Sequence, residues 1–244
     1  MSQRQSTNDS EEAENYQTRV GALRREKTRN RLIESALAVF AEKGPDAPLI
    51  DDFIAAAGVS RGTFYNYFRT TGELLSAVAG ESSDEVLGVI DPVVRRLDDP
   101  AQRVATGSRL YMQMAVRYPL WGAFITRVGT KRGSRGRLLD QYLTRDIQRA
   151  IELGRFKEVD VLVARDIALG AIRYGIETLL SGTAPSNYPE QSMHALLRAL
   201  GVDSLEASRI AYAEIAECPT PSGPILDRVG AAATRSGEPS RATD

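Results

Sequence analysis

The residues of this chain best suited to contacting a charged ligand lie at positions 60–67, in the sequence SRGTFYNY. An arginine can read guanine or grip a phosphate, threonine can touch a thymine methyl, asparagine can bond adenine, and tyrosine hydroxyls reach phosphate oxygens. Gly62 lets the backbone of a first helical turn approach a phosphate, where the helix dipole also helps. This combination favours contact with DNA.

The residues around this stretch predict two helices that would position it. The apolar residues before it follow the i, i+3, i+4, i+7 spacing of a helix with one buried face: Ile50, Phe53, Ile54 and Ala57. Gly58 can take a positive φ and allow a sharp exit, and Ser60 is a good N-cap for a second helix. In that second helix Phe64 and Phe68 face inward, which leaves the polar residues outside. A plain helical hairpin has the same periodicity.

The sequence AAAGVSRGTFYNYF, with an amphipathic helix before it and Glu73-Leu74-Leu75 after it, resembles the TetR family of bacterial transcriptional regulators. The resemblance covers roughly residues 29–75. It implies an all-α fold, with a three-helix helix-turn-helix DNA-binding head on a helical, dimeric, ligand-sensing body. Matched to the family motif, six residues fall where the family makes its DNA contacts: Ser60, Arg61, Thr63, Tyr65, Asn66 and Tyr67.

Two positions depart from the family pattern, and a basic arm offers a replacement. Leu49 stands where the family usually has a capping threonine or serine that touches a phosphate, and Thr71 stands where it usually has lysine. Residues 19–31 carry six basic side chains against one acid, typical of a phosphate-tracking arm or of a solvated helix start. The predicted DNA-binding set comprises Arg25, Lys27, Arg29, Ser60, Arg61, Gly62, Thr63, Tyr65, Asn66 and Tyr67.

Composition narrows the class of protein. The chain has 244 residues, 42% of them hydrophobic and 26% charged, with a formal net charge of -1, so basic residues must cluster locally if it binds DNA. One cysteine and one histidine exclude an internal disulfide and leave few options for a metal site, and we expect no metal or cofactor. No apolar run approaches the ~20 residues of a membrane span, and the polar, acidic N-terminus is unlike a signal peptide. We expect a soluble cytoplasmic protein.

The pattern along the chain predicts four regions. These are a flexible N-terminal arm (1–21), a helix-turn-helix DNA-binding domain (22–69), a helical ligand-binding and dimerisation domain (70–217) and a flexible tail (218–244). Glycine and proline punctuation divides the third region into helices at about 71–96, 101–117, 120–129, 135–153, 160–181, 189–200 and 204–217. The helix that starts at residue 71 leaves the head and enters the body, so residues 73–78 would form the joint between them.

Three features of the body invite a functional interpretation. Residues 159–180 combine a wide apolar stripe with small residues, which favours a dimer interface or burial in the monomer core. Residues 127–137 form a basic, glycine-interleaved loop that could meet an anionic ligand or DNA, although an exposed, solvated loop is the simpler explanation. Polar and aromatic side chains within apolar helices are the candidate ligand pocket, although such a stripe is more often core or interface and Arg173 with Glu177 is first of all an intrahelical ion pair: Tyr111, Trp121, Phe124, Tyr142, Arg173, Tyr174 and Glu177.

No enzymatic motif competes strongly with the regulatory interpretation. His194 is isolated, Cys218 precedes a proline near the tail, and the chain has no metal-ligand spacing and no GxGxxG. We therefore expect no catalytic residues, and predict a repressor that binds a near-palindromic double-stranded DNA operator as a homodimer and is released by a small-molecule effector. The alternatives are a helical protein-interaction module or an enzyme without DNA binding. The effector and the operator sequence do not follow from the residues.

Overall fold

The structure, a computed structural model, describes residues 2–128, 137–227 and 229–230, with side chains from residue 18 onward apart from that of Arg137. No described residue lies in a β-strand, so the all-α prediction is confirmed. The helices are α1 (Ser2–Lys43), α2 (Ile50–Ala57), α3 (Arg61–Tyr65), α4 (Thr71–Val94), α5 (Pro100–Arg117), α6 (Pro119–Val128), α7 (Arg137–Glu152), α8 (Val161–Leu180), α9 (Tyr188–Ala199) and α10 (Ser204–Ala211).

An aromatic core holds α1, α2 and α3 together. Phe40 of α1 packs on Phe53 of α2 with ring centroids 4.8 Å apart, and Phe53 stacks on Phe64 of α3 at 6.5 Å. Phe64 and Phe68 are both buried, as their spacing predicts. Gly58 ends α2 at φ +60°, a conformation that costs a residue with a Cβ more than it costs glycine. The sharp exit places α3 across the end of α2.

The helix α4 joins this head to the body. Its N-terminus is capped by Thr70, whose hydroxyl accepts from the Glu73 backbone N–H at 3.1 Å. Over 24 residues α4 packs against α1 at one end and against α5 and α7 further along. The buried side chains of head and body form one continuous hydrophobic cluster. The division into domains 22–69 and 70–217 remains a prediction.

The body helices begin and end within a few residues of their predicted bounds, except at α10. That helix was predicted to run to residue 217 but ends at Ala211. Past the helix end, Arg109 of α5 donates from Nη1 to the Ala213 carbonyl at 2.7 Å, so a tertiary contact replaces a further helical turn. Helix propensity alone does not reveal such a partner.

The two chain ends differ from the sequence prediction. Where a flexible arm was predicted through residue 21, α1 begins at Ser2. This proline-free segment includes the helix formers Gln, Glu and Arg, and a helix anchored at its packed end extends at little cost. Where a flexible tail was predicted from residue 218, Ile225, Leu226 and Val229 are buried against the body. Three apolar side chains in a Pro- and Gly-rich segment are enough to dock it. Residues 231–244 lie outside the described residues.

Candidate nucleic-acid interface and ligand cavity

The outer face of α3 presents the side chains that the motif predicts. Ser60 caps the helix, with Oγ accepting from the Thr63 N–H at 3.1 Å and lying 2.8 Å from Thr63 Oγ1. The face is otherwise polar: Arg61, Gly62, Tyr65 and Asn66 are exposed, and Thr63 and Tyr67 are half-buried. One N-cap and two buried phenylalanines thus fix the position of the five-residue helix α3.

Arg61 has an internal partner on this face. Its Nη2 donates to Asp51 Oδ1 at 2.5 Å, and this hydrogen bond raises the pKa of the Arg61 guanidinium. Both side chains are more than half exposed, at 58% and 70%, so the pair is screened by water and contributes little stability. Arg61 can exchange Asp51 for an external acceptor at small cost.

The three arm residues of the predicted set are not equivalent. Arg25 and Lys27 are exposed on α1. Arg29 is turned to the joint with the body, where it makes a bidentate pair with Glu81 of α4 at 2.9 and 2.6 Å and lies over the Phe68 ring at 5.7 Å. The hydrogen bond to Glu81 raises the pKa of Arg29. Arg25 and Lys27 are therefore exposed to solvent, whereas Arg29 is held in an ion pair with Glu81.

Leu49 occupies the N-cap of α2 and is 70% exposed. Its hydrocarbon side chain cannot accept a hydrogen bond. The missing cap is replaced in part by Asp52, which accepts from the Leu49 N–H at 2.8 Å and from Lys43 Nζ at 2.7 Å. The Lys43 hydrogen bond lowers the pKa of the Asp52 carboxyl.

A cavity of about 40 Å³ lies in the body between α4, α5, α7 and α8. Its walls are mostly apolar, with a few charged and hydroxyl groups; the lining residues are Leu87, Ile90, Asp91, Val94, Arg103, Val104, Gly107, Ser108, Leu139, Tyr142, Leu143, Asp146 and Ile172. Apolar walls with a few convergent polar groups are the usual composition of a small-molecule site.

Two carboxylates and one arginine line the charged side of this cavity, and a second arginine, Arg145, pairs with both carboxylates. Asp146 is buried, and its carboxylate accepts from Arg145 at 3.0 and 2.8 Å and lies 3.7 Å from Arg103. Arg145 also donates to Asp91 of α4 at 2.8 Å and lies over the Tyr142 ring at 5.1 Å. Its hydrogen bond to Asp146 is the main cause of its raised pKa. One arginine of α7 thus joins both carboxylates and ties α4 to α7.

Of the seven side chains predicted for a ligand pocket, Tyr142 lines this cavity. Tyr111 and Trp121 lie elsewhere in the core, where Tyr111 hydrogen-bonds to Ser83 of α4 at 3.3 Å and the Trp121 indole donates to Ser82 at 3.2 Å. Burial raises the pKa of Tyr111 to about 12. Phe124 packs on Phe40 of the head with centroids 6.1 Å apart.

The remaining three predicted pocket residues lie on α8. Arg173 donates to the Thr126 carbonyl at 2.9 Å in place of the predicted pair with Glu177. Tyr174 and Glu177 are exposed. Of the basic loop, Arg127 donates to the Glu42 carbonyl of α1 at 2.7 Å, and residues 129–136 lie outside the described residues.

Helix α8 also leaves an apolar stripe uncovered. Leu162, Val163, Ile167 and Tyr174 are between 42% and 61% exposed. Gly170 lies within this stripe and a Cβ there would meet nothing within 4 Å. Gly175, one of the small residues of the predicted interface helix, faces α5 of the same chain: a Cβ there would come within 2.9 Å of Met112 Cε.

The sequence did not point to most of the polar groups at the cavity, namely Asp91, Arg103, Ser108 and Asp146 in its lining and Arg145 beside it. One signal was available: Asp146 interrupts the apolar stripe of α7 at the i+7 position from Leu139. Apart from this signal, the sequence pattern of the charged residues is the same as that of charges on a solvated helix face. The described residues contain no group of three or more potential metal ligands and no helix long and apolar enough to cross a bilayer.

Comparison with known proteins agrees with this geometry. Residues 32–78 match the family model for bacterial regulatory proteins of the tetR family, and residues 99–213 match that for the tetracyclin repressor-like C-terminal domain. The chain belongs to the TetR family of bacterial transcriptional regulators. The family resemblance of the helix-turn-helix motif is therefore confirmed.

Three similar proteins illustrate these matches. It is 33% identical to RolR, crystallised with the ligand resorcinol, with a TM-score of 0.67 over 81% of this chain and 100% of RolR. It is 39% identical over 49 residues to the HTH-type transcriptional regulator YvdT of Bacillus subtilis, a match that spans 25% of YvdT. AibR, solved with isovaleryl coenzyme A and operator DNA, is 16% identical with a TM-score of 0.54 over 70% of this chain and 97% of AibR, which supports the fold alone.

Proposed function

We propose that this chain is a ligand-responsive repressor that binds a near-palindromic operator as a homodimer and leaves it when a small aromatic ring carrying hydroxyl groups enters the body cavity. The observation that carries the proposal is the placement of α4. Near the head, Glu81 of this helix pairs with Arg29, and ten residues further on Asp91 pairs with Arg145 beside the cavity. A change in the cavity therefore acts on the same rigid helix that positions the head.

The chemistry of the cavity supports the effector class. The carboxylates of Asp91 and Asp146 are acceptors for phenolic hydroxyls, Tyr142 offers an aromatic neighbour, and the remaining wall is largely apolar. RolR, which is similar to this chain over 81% of the chain and over all of RolR, was crystallised with resorcinol, a ring with two hydroxyl groups. A ring of this kind could replace the Asp91–Arg145 hydrogen bond with its own.

The size of the cavity supports a response to the ligand. A cavity that accepts benzene measures roughly 150 Å³, whereas this one measures about 40 Å³. A ring would therefore bind a conformer in which α4 and α7 lie further apart. A ligand shifts a conformational equilibrium only by the difference between its affinities for the two states. Because the ring does not fit the closed cavity, it would bind the open conformer more tightly.

The dimer rests on the uncovered stripe of α8. A single head reads only a few base pairs, so genomic specificity requires two heads on half-sites about one helical turn, ~34 to 36 Å, apart or a multiple of it. Val163, Ile167, Gly170 and Tyr174 share one exposed face of α8 at helical spacing. Packing this face on a second copy would bury it.

The test uses resorcinol and an operator selected from a random duplex library. Calorimetry should detect resorcinol binding to the wild-type protein, and Asp146→Asn should weaken it at least about tenfold, since this substitution removes one charged acceptor. Resorcinol should release the duplex from wild type but not from Asp146→Asn. Asp98→Asn, a change of an exposed carboxylate outside the cavity, is the matched control. Release by resorcinol that is equal in all three proteins would contradict the assigned cavity.

A further inference from the structure

The chain beyond α10 is held to the body at intervals along its length. Arg109 binds the Ala213 carbonyl, the Cys218 thiol lies 3.7 Å from the Val89 carbonyl of α4, and Arg117 donates to Thr220 at 2.7 Å. We call residues 213–230, described apart from residue 228, the C-terminal strap. The family match ends at residue 213, where the strap begins.

The firmest attachment of the strap is a carboxylate clamp on α4. Glu85 accepts from the Ile225 N–H at 3.0 Å and from the Leu226 N–H at 2.9 Å. These N–H groups open the helical turn 224–227, so both oxygens of Glu85 satisfy donors that the turn cannot satisfy itself. A side chain at Gly223 would overlap the Glu85 carboxylate. Ile225 and Leu226 are buried, which adds apolar contact to the clamp.

The clamp lies next to the joint between head and body. Glu85 follows Glu81 by one helical turn, and Glu81 holds Arg29 of α1. On its other side the strap faces α1 across a cleft lined by α1 residues and by Pro224 and Asp227 of the strap. The strap is therefore anchored on α4, beside the pair that joins α4 to α1, and borders α1 across this cleft.

We infer that the C-terminal strap acts as a built-in restraint that stabilises the conformer with a closed cavity and with the head held against α4. The functional part of this inference rests on the proposed function, in which the closed-cavity conformer is the one that binds DNA. Removing the restraint shifts the population toward the open conformer. Effector affinity then rises while operator affinity falls.

This opposite shift distinguishes a restraint from a merely stabilising segment, whose removal weakens both affinities. The test compares a chain ending at residue 212 with one ending at residue 230, which retains the strap. Resorcinol should bind the shorter chain at least about fivefold more tightly and the selected operator at least about fivefold more weakly. The chain ending at 230 should match the full-length protein. Shifts of both affinities in the same direction, or no shift in either, would overturn the proposal.

Hydrogen exchange tests the restraint without DNA or effector. Amides of residues 23–34 in α1 and 81–91 in α4 should exchange at least about tenfold faster in the chain ending at 212 than in the chain ending at 230. Unchanged protection would overturn the proposal even if both proteins bind DNA. If resorcinol binds neither protein, the proposed effector class is wrong. The hydrogen-exchange result alone then tests whether the strap restrains α1 and α4.

Point variants keep the test valid if the shorter chain does not fold. Glu85→Gln removes the charge and one acceptor from the clamp, and Gly223→Ala forces the strap away from it. Gly88→Ala is the matched control, because Gly88 lies on the exposed side of α4 and a Cβ there meets nothing within 4 Å. The two clamp variants should reproduce the faster exchange in α1 and α4, and Gly88→Ala should not. Equal protection of the α1 and α4 amides from exchange in the two clamp variants and in Gly88→Ala would overturn the proposed role of the clamp.

Discussion

The face of α3 and the cavity of the body both depend on arginine, but in opposite surroundings. Arg61 and Asp51 form an exposed pair that water screens, so the guanidinium can change partners easily. Arg145 and Asp146 form a pair whose carboxylate is buried, so breaking it leaves charge poorly solvated. An interface that must exchange water for phosphate benefits from the first arrangement. A cavity that must distinguish one ligand from solvent benefits from the second.

The largest effect should follow from removing the buried partner. Asp146→Ala should lower the free energy of unfolding by about 3 kcal/mol, since the carboxylate accepts two charge-assisted hydrogen bonds in a buried site. Urea unfolding measures the change, with exposed Asp98→Ala as the control. Equal stability of the two variants would mean that the cavity charges are as well solvated as those on α3, and the contrast between the sites would disappear.

Replacing glycine by leucine at a buried position and at an exposed position of α8 sharpens the contrast between buried and exposed sites. Gly175→Leu should destabilise the fold of the subunit by about 1 to 3 kcal/mol, because its side chain would collide with Met112. Gly170→Leu should not lower subunit stability, since that site is open and leucine favours a helix more than glycine does, but it should weaken the proposed dimer. Thermal unfolding and sedimentation separate the two effects. A fully dimeric Gly170→Leu protein would remove this face of α8 from the interface.

On the exposed face, the same type of change should affect binding and not folding. Arg61→Ala should weaken operator binding by ~1 to 3 kcal/mol if the guanidinium reads a base, and should change stability by less than ~1 kcal/mol. Asp51→Ala should bind as tightly as wild type or more so, because it frees Arg61 and removes an acid near the phosphates. Fluorescence anisotropy at fixed salt measures both, with exposed Arg95→Ala as the control. Normal affinity of Arg61→Ala would exclude it from the recognition face.

The smallest effect should appear in the arm. Replacing both Arg25 and Lys27 by alanine should reduce the slope of log affinity against log salt by roughly one unit for each phosphate that the arm no longer neutralises. Arg29→Ala should leave that slope unchanged, because Arg29 is bound to Glu81 at the joint. Operator titrations across a salt series test both variants. If Arg29→Ala flattens the slope as much as the double variant, Arg29 leaves Glu81 when DNA binds.

The sequence by itself determined the helix-turn-helix and nearly all helix bounds, because those features depend on residues close together in the chain. Phe64 and Phe68 lie four apart and are buried, Gly58 supplies the left-handed turn, and Ser60 caps α3. Each of these interactions spans only a few residues, so spacing alone predicts it. The family of the chain followed from the same short stretch.

Only the tertiary structure decided where the charges of the body go. Asp91 and Arg145 are 54 residues apart, and Glu85 and Leu226 are 141 apart, so no local period connects them. A charged residue on an amphipathic helix has the same pattern whether its face meets water or another helix. Whether the face meets water or protein depends on how four helices and the strap pack together. That packing places an Arg-Asp pair beside a cavity and docks a tail that was predicted to be flexible.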